Sequence, residues 1–389
     1  MVEQARGNNK EISFSEDFAG SAIEKKKREG IKSAFDLYKQ TIAKSRLDPF
    51  RKISKRRRLK MSYRISPLWW PIIGLSSPVL FPMLFVRNRR YKQNVEKSQK
   101  ENKERIGNAK PLEIPELEHF ELTVLLEQKA EPGFLSAPGV SYLIRTDRGS
   151  LLFDIGHGPE MPALTHNAAR SGFKIDQVGA LAISHLHPDH MGGFKAVRNN
   201  QVTVPQEFGR GEGIPCFVPA EANADGFQTV VVKGPRMLTA GVASTGPLTR
   251  SLFLMGWTEE QAIVARLKHK GLIVFTGCGH PTIEIIVQMV KCLSNEPIYA
   301  IGGGLHFPVT DSPLRKPGLK VQMIWGTGKP PWKRITKADL ERTIENLNAI
   351  NPKHVFLSAH DTCDYAIDRF QNALKSETKV LRSGATYRQ

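Results

Sequence analysis

The segment that most constrains this chain is Ser184-His185-Leu186-His187-Pro188-Asp189-His190, followed by Gly192 and Gly193. It begins at the end of the apolar run Ala180–Ser184, which reads as a buried strand. Side chains alternate along extended backbone, so His185 and His187 share one side. Pro188 then turns the chain, and Asp189 and His190 can face a second position nearby. Imidazole and carboxylate are the donor types that suit zinc and similar divalent ions. A histidine-rich surface loop is the bland alternative, but the strand before the cluster and the glycine pair after it argue against one.

The rest of the C-terminal region has the texture of a layered α/β (α+β) domain. Phe120–Leu126, Ser141–Arg145 and Ser150–Phe153 read as strands, the last two joined as a hairpin with Gly149 in the turn. Ala262–Leu267 and Leu272–Phe275 form a further pair. Thr282–Leu293, Lys337–Ile350 and Tyr365–Ala373 read as helices alternating with the strands Ile298–Ile301 and His354–Leu357. Hairpins first and βαβ-like units later predict two sheets sandwiched between helices, an αββα architecture. The four cysteines, Cys216, Cys278, Cys292 and Cys363, are far apart and form no CxxC pair. They do not make a disulfide framework, and a reducing compartment suits them.

Further motifs follow the histidine cluster in a fixed order. Leu151-Leu152-Phe153-Asp154-Ile155-Gly156 precedes it. Thr245-Gly246-Pro247-Leu248-Thr249-Arg250, Thr258-Glu259-Glu260-Gln261-Ala262, Thr276-Gly277-Cys278-Gly279-His280, Gly302-Gly303-Gly304-Leu305-His306 and Ser358-Ala359-His360 come after it. The His185–His190 pattern resembles the HxHxDH signature of metallo-β-lactamase fold hydrolases. Over roughly 117–375 the series resembles the branch named for dihydropterin-6-yl-methyl-ribofuranosyl-aminobenzene phosphate synthase. The chain departs from that branch at Pro247, where a glutamate is usual, and after His360, where Asp361 stands in place of a cysteine.

The resemblance implies the αββα fold with its metal site at one edge. It implies a first ion on His185, His187 and His280 and a second on Asp189, His190 and His360. Zinc is expected, with two ions and with manganese or iron as substitutes. Asp154 is expected to orient the metal loop from behind, as carboxylates behind ligating histidines do. Cys278 occupies the place where many relatives carry a bridging aspartate, and both a thiolate ligand and a buried structural thiol fit it. His306 follows three glycines and is assigned a catalytic role beside Asp189; shaping a substrate loop is an equal alternative to ligation. His157, His166, His269 and His354 lack such context and read as structural or surface residues.

Charge divides the chain. Of its 56 basic and 38 acidic residues, 27 and 11 lie in 1–110, so the strong positive charge belongs to the N-terminal region and the remainder is nearly neutral. That balance argues against a nucleic-acid track across the domain. A polar, basic region (1–64) includes an amphipathic segment at 30–44 and the run Lys55-Arg56-Arg57-Arg58. An uncharged stretch of 22 residues, Ile65–Val86, is long enough to span a bilayer but contains Pro67, Pro71, Pro78 and Pro82. Interior prolines free carbonyls that are costly in lipid, so a re-entrant or interfacial anchor is expected rather than a straight span. The Trp69–Trp70 pair and basic flanks agree with this. Residues 87–116 read as a linker and 117–389 as the catalytic domain. The domain is expected on the cytoplasmic face, next to anionic lipid.

These readings combine into a membrane-associated, metal-dependent enzyme. It would hydrolyse a phosphorylated pterin-like or ribosyl small molecule, or displace phosphoryl or pyrophosphate from one, with water activated at the metal. A nuclease of the same fold is one alternative. A membrane-tethered binding protein with a vestigial site is another.

Overall fold

The computed structural model describes residues 69–310, 323 and 326–389. The amphipathic segment at 30–44, the basic run at 55–58 and the start of the apolar stretch, 65–68, lie outside the described residues.

Two sheets face each other. The first has the order Thr386–Arg388, Phe120–Leu126, Ser141–Thr146, Gly149–Phe153, Ala180–Ala182, Pro215–Val218, Gln228–Val231. It is antiparallel as far as Gly149–Phe153 and parallel beyond. The second has the order Arg236–Met237, Ala243–Ser244, Ile263–Leu267, Gly271–Phe275, Ile298–Gly303, His354–Leu357, Glu377–Val380, with Glu116–Leu117 beside Ile263–Leu267. From Gly271–Phe275 onward it too is parallel. None of the four cysteines forms a disulfide.

Strand alternation builds the layers. Leu151 and Phe153 point between the sheets, where they join Ile273, Phe275 and Phe356 in one core cluster. Leu152, between them in sequence, points to the other face and packs with Ala163, Leu164 and Ala168 of the helix Pro162–Arg170. The Phe275 ring lies 6.1 Å from Phe120, 6.2 Å from Tyr142 and 5.7 Å from Phe356. Burying one such side chain contributes roughly 1.5–3 kcal/mol, so this inter-sheet layer carries much of the fold. Helices Ile283–Leu293, Lys337–Ile350 and Asp364–Ala373 cover the outer face of the second sheet. The αββα architecture expected from the sequence is the one observed. Because the parallel strands run alike, their C-terminal ends gather at one edge, and the site lies there.

The anchor candidate and the linker share one helix, Trp70–Gly107. Pro71 occupies its first turn, where no helical N–H is needed, but Pro78 and Pro82 lie inside it. The docked lower half explains why it continues. Asn102 donates to the Thr249 carbonyl at 2.8 Å and accepts from the Thr249 N–H at 2.7 Å. Arg105 donates to the Pro247 carbonyl at 2.7 Å and pairs with Glu259 at 2.6 Å. The Tyr91 ring meets Phe253 edge-on, 5.6 Å away, and Lys97 lies 5.0 Å over Trp257. Propagation from an established helix adds one hydrogen bond per residue, which carries it through the two bonds that the prolines omit. The upper half is largely exposed among the described residues: Leu75 is 86% exposed, Val79 75% and Phe85 72%. Among the described residues this is the one helix long and apolar enough to cross a membrane.

The partner of the docked half is a hairpin that sequence reading did not anticipate, Leu248–Leu252 paired with Gly256–Glu260. Thr249, Trp257 and Glu259 meet the helix. Thr258 and Glu260, alternating with them, face the opposite way, toward the metal-type residues.

Candidate metal centre

Five strand ends supply the site. Asp154 follows Gly149–Phe153, the His185–His190 loop follows Ala180–Ala182, Cys278 and His280 follow Gly271–Phe275, His306 follows Ile298–Gly303, and His360 follows His354–Leu357. Pro188–Met191 forms one short helical turn, which swings Asp189 and His190 away from His185 and His187. Two glycines permit the close assembly. A side chain on Gly277 would strike the Ser184 Oγ, 2.1 Å from the ideal Cβ position. Gly279 has φ 73° and carries the turn from Cys278 to His280.

The structure brings together both donor sets expected from the sequence. Donor atoms of His185, His187 and His280 lie within 4.8 Å of one another, and so do those of Asp189, His190 and His360. His187 Nδ1 and His280 Nε2 are 3.2 Å apart. Two nitrogens on one tetrahedral zinc at about 2.0–2.1 Å stand about 3.3 Å apart, so this pair has the spacing of ligands to a shared ion. Cys278 Sγ, 3.1 Å from His190 Nε2, lies between the sets. His306 forms a further group with Cys278 and His280. His354 pairs instead with Tyr299 and Glu377, and the His157 ring packs on Phe194 beside the site.

A layer behind the donors sets their orientation. Asp154 Oδ1 accepts from the Ser184 N–H at 2.6 Å; its Oδ2 accepts from the Ser184 hydroxyl and from His190 Nδ1, both at 2.7 Å. His190 Nε2 is thereby turned inward, the tautomer control that ligating histidines need. Thr258 Oγ1, 3.2 Å from His187 Nε2, does the same for His187 and leaves Nδ1 inward. Glu260 accepts from the backbone N–H groups of Gly279 and His280, each at 2.7 Å, and so holds the turn that carries His280. Behind His360, Tyr142 donates to the buried Glu127 at 2.8 Å. Thr258, Glu260 and Glu127 were not singled out from the sequence. The first two sit in a motif whose alternation becomes readable only once the hairpin is known.

Electrostatics follow from burial and these partners. Burial, reinforced by neighbouring imidazoles, holds His185 and His280 well below the ordinary histidine range; burial brings His187 down to about 4. All three are therefore neutral and have lone pairs to donate. Burial also opposes charge on His190, but Asp154 outweighs it and raises the pKa. At His360, Asp361 and Asp189 overcome burial and bring it up to about 10. Burial disfavours the Asp189 carboxylate too, yet His360 and His190 hold it well below the usual range. The Cys278 thiol is pushed well up by burial and by the Asp361 and Asp189 charges.

A metal fits this arrangement. His185 Nε2 and His306 Nδ1 are buried without a hydrogen-bond partner among the described residues, a costly state for polar atoms unless something else satisfies them. On metal binding, His190 and His360 would exchange a proton for an ion.

Comparison with known proteins agrees with the geometry. Residues 137–206 match the family model of the metallo-β-lactamase superfamily. The chain is similar to a 7,8-dihydropterin-6-methyl-4-(β-D-ribofuranosyl)-aminobenzene-5'-phosphate synthase of Methanocaldococcus jannaschii, 21% identical over 243 residues, covering 52% of this chain and 82% of that protein. Among solved structures it resembles Tm1679, described as a metal-dependent hydrolase of the β-lactamase superfamily. That match has 20% identity and a TM-score of 0.50, and it covers 69% of this chain and 98% of the other. Layer order, strand-end site and these likenesses agree that the chain carries the metallo-β-lactamase fold.

Proposed function

We propose that this protein is a metal-dependent hydrolase, or phosphoryl-displacing enzyme, acting on a phosphorylated small molecule beside an anionic membrane surface. The observation that carries the reading is the meeting of two three-residue donor sets, His185/His187/His280 and Asp189/His190/His360, at one strand-end edge. Zinc is the expected ion, since imidazole with one carboxylate is a common zinc donor set. Bound ions would supply Lewis acidity and an activated water. Asp189, kept ionised, accepts the proton from the attacking water. His306 Nε2 is engaged by the Gly326 carbonyl, which leaves Nδ1 to accept from a substrate hydroxyl. Metal analysis, followed by a screen of phosphodiesters, lactones and pterin phosphates, tests the reading. A purified protein that binds no divalent ion would end it.

Arg250 supports an anionic substrate. It pairs in register with Thr258, so the two side chains share the hairpin face turned toward His187. It is half-buried, and no carboxylate pairs with it among the described residues. A phosphate is the natural partner for such a guanidinium. Arg250→Gln is expected to raise KM for a phosphorylated substrate by about 10–100-fold, as loss of one charged hydrogen bond implies, while metal content stays at the wild-type level. An unchanged KM would remove Arg250 from substrate binding.

The exposed upper half of the helix Trp70–Gly107 supports the membrane reading. Its apolar side chains and the basic residues on either side suit a bilayer with anionic lipid, each nearby Lys or Arg adding ~1 kcal/mol. Full-length protein is expected to co-sediment with phosphatidylserine vesicles and to be released in part by high salt. If it fractionates as soluble and also ignores those vesicles, the anchor assignment is wrong.

A further inference from the structure

One carboxylate at the centre belongs to neither donor set. Asp361 follows His360 directly, and its side chain is 24% exposed. Its Oδ2 lies 3.8 Å from His360 Nε2 and 3.6 Å from His306 Nδ1. His306 Nδ1 is one of the buried atoms without a hydrogen-bond partner among the described residues. The donor atoms of Asp361, His360 and Cys278 also lie within 4.8 Å of one another. The carboxylate therefore lies beside the second donor set, at a partly exposed position. It reaches this place through a left-handed backbone, φ 54°, the conformation that also sets Asp154 at φ 62°. Aspartate and asparagine tolerate that region better than most residues.

Charge gives the placement a purpose. The six residues of the two sets bring one formal negative charge, that of Asp189, to two divalent cations in a largely buried site. Excess charge of one sign is expensive to bury, and a second carboxylate lowers it. Hard oxygen donors also complement imidazole around zinc.

We propose that Asp361 is a metal ligand, adding its carboxylate to Asp189, His190 and His360 on the side facing Cys278 and His306. The proposal rests on the metal-dependent reading above. The competing role is purely structural, with Asp361 pairing His306 and His360 and never touching an ion.

The test uses the full-length chain, zinc and a chromophoric chelator as competitor. Wild type is expected to bind two zinc ions. Asp361→Asn, which suits the left-handed backbone, should keep the metal-free melting temperature and hold the first ion normally. It should bind the second at least about 100-fold more weakly, beyond what loss of an outer hydrogen bond usually costs. In a crystal structure of the zinc-loaded wild type, a carboxylate oxygen of Asp361 should lie about 2.0–2.2 Å from zinc. Two ions at wild-type affinity in Asp361→Asn, or an Asp361 carboxylate beyond about 3 Å from both ions, would overturn the proposal and leave the metal-dependent reading standing. A wild-type protein without any ion would overturn both.

Discussion

Asp154→Asn is expected to lower the stability of the metal-free domain by about 3 kcal/mol, because it breaks a buried, charge-assisted cluster. Asparagine keeps the shape and tolerates φ 62°, so backbone strain is not the cause. The loss comes from donors. Asp154 accepts from the Ser184 N–H, the Ser184 hydroxyl and His190 Nδ1, and an amide has only one oxygen for two such positions. Either orientation turns an NH2 against an N–H or the hydroxyl. At roughly 2–4 °C per kcal/mol, the melting temperature followed by circular dichroism should fall by about 6–12 °C. The effect should depend on pH with a definite sign. The folded-state pKa of His190 is raised, so its pairing with Asp154 contributes fully below the unfolded value near 6.5 and fades as pH rises through the raised value. The gap between wild type and variant should therefore be wider at pH 6 than at pH 9. Saturating zinc displaces the proton and should flatten that dependence. Coincident melting curves at pH 6 would mean that Asp154 does not hold the loop.

What the sequence disclosed, and what it hid, follows from how local each signal is. The His185–His190 loop, the strand before it and the aspartate at the end of Gly149–Phe153 are short-range patterns, and the structure brings them together at one strand-end edge. The helix Lys337–Ile350 and the strand His354–Leu357 were legible to the residue, because apolar spacing and the Thr336–Asp339 capping box mark them. The hairpin Leu248–Glu260 was not legible. Its strands carry polar residues on both faces, since one face meets a helix through Thr249 and Glu259 while the other supports metal-type residues through Thr258 and Glu260. Alternation between apolar and polar, the usual strand signal, is erased when both faces are in use. Arg250 and Asp361 were missed for a related reason: their surroundings come from segments far away in sequence. Continuation of the helix through Pro78 and Pro82 was likewise decided by its docking at Asn102 and Arg105, not by local propensity.

Replacing the donors should separate metal binding from folding. His187→Ala removes an imidazole whose Nδ1 stands 3.2 Å from His280 Nε2, within the first donor set. Two ligands remain there, His185 and His280, where a catalytic zinc needs three protein ligands. Metal content by mass spectrometry is therefore expected to fall from two ions per chain toward one. Asp189→Asn keeps the side-chain shape but removes a charge that His360 faces at 3.1 Å. It weakens the second set and abolishes the proton acceptor, so turnover on a substrate found by the screen should drop by about 10²–10⁴-fold, the range for a lost general base. Neither variant should unfold. The inter-sheet cluster around Phe153, Phe275 and Phe356 is complete without the loop, and its burial far exceeds what one donor side chain contributes. Far-ultraviolet circular dichroism should accordingly match the wild type in both. Full metal content together with full turnover in both variants would show that these residues are not the donors, and the enzymatic reading would fall with them.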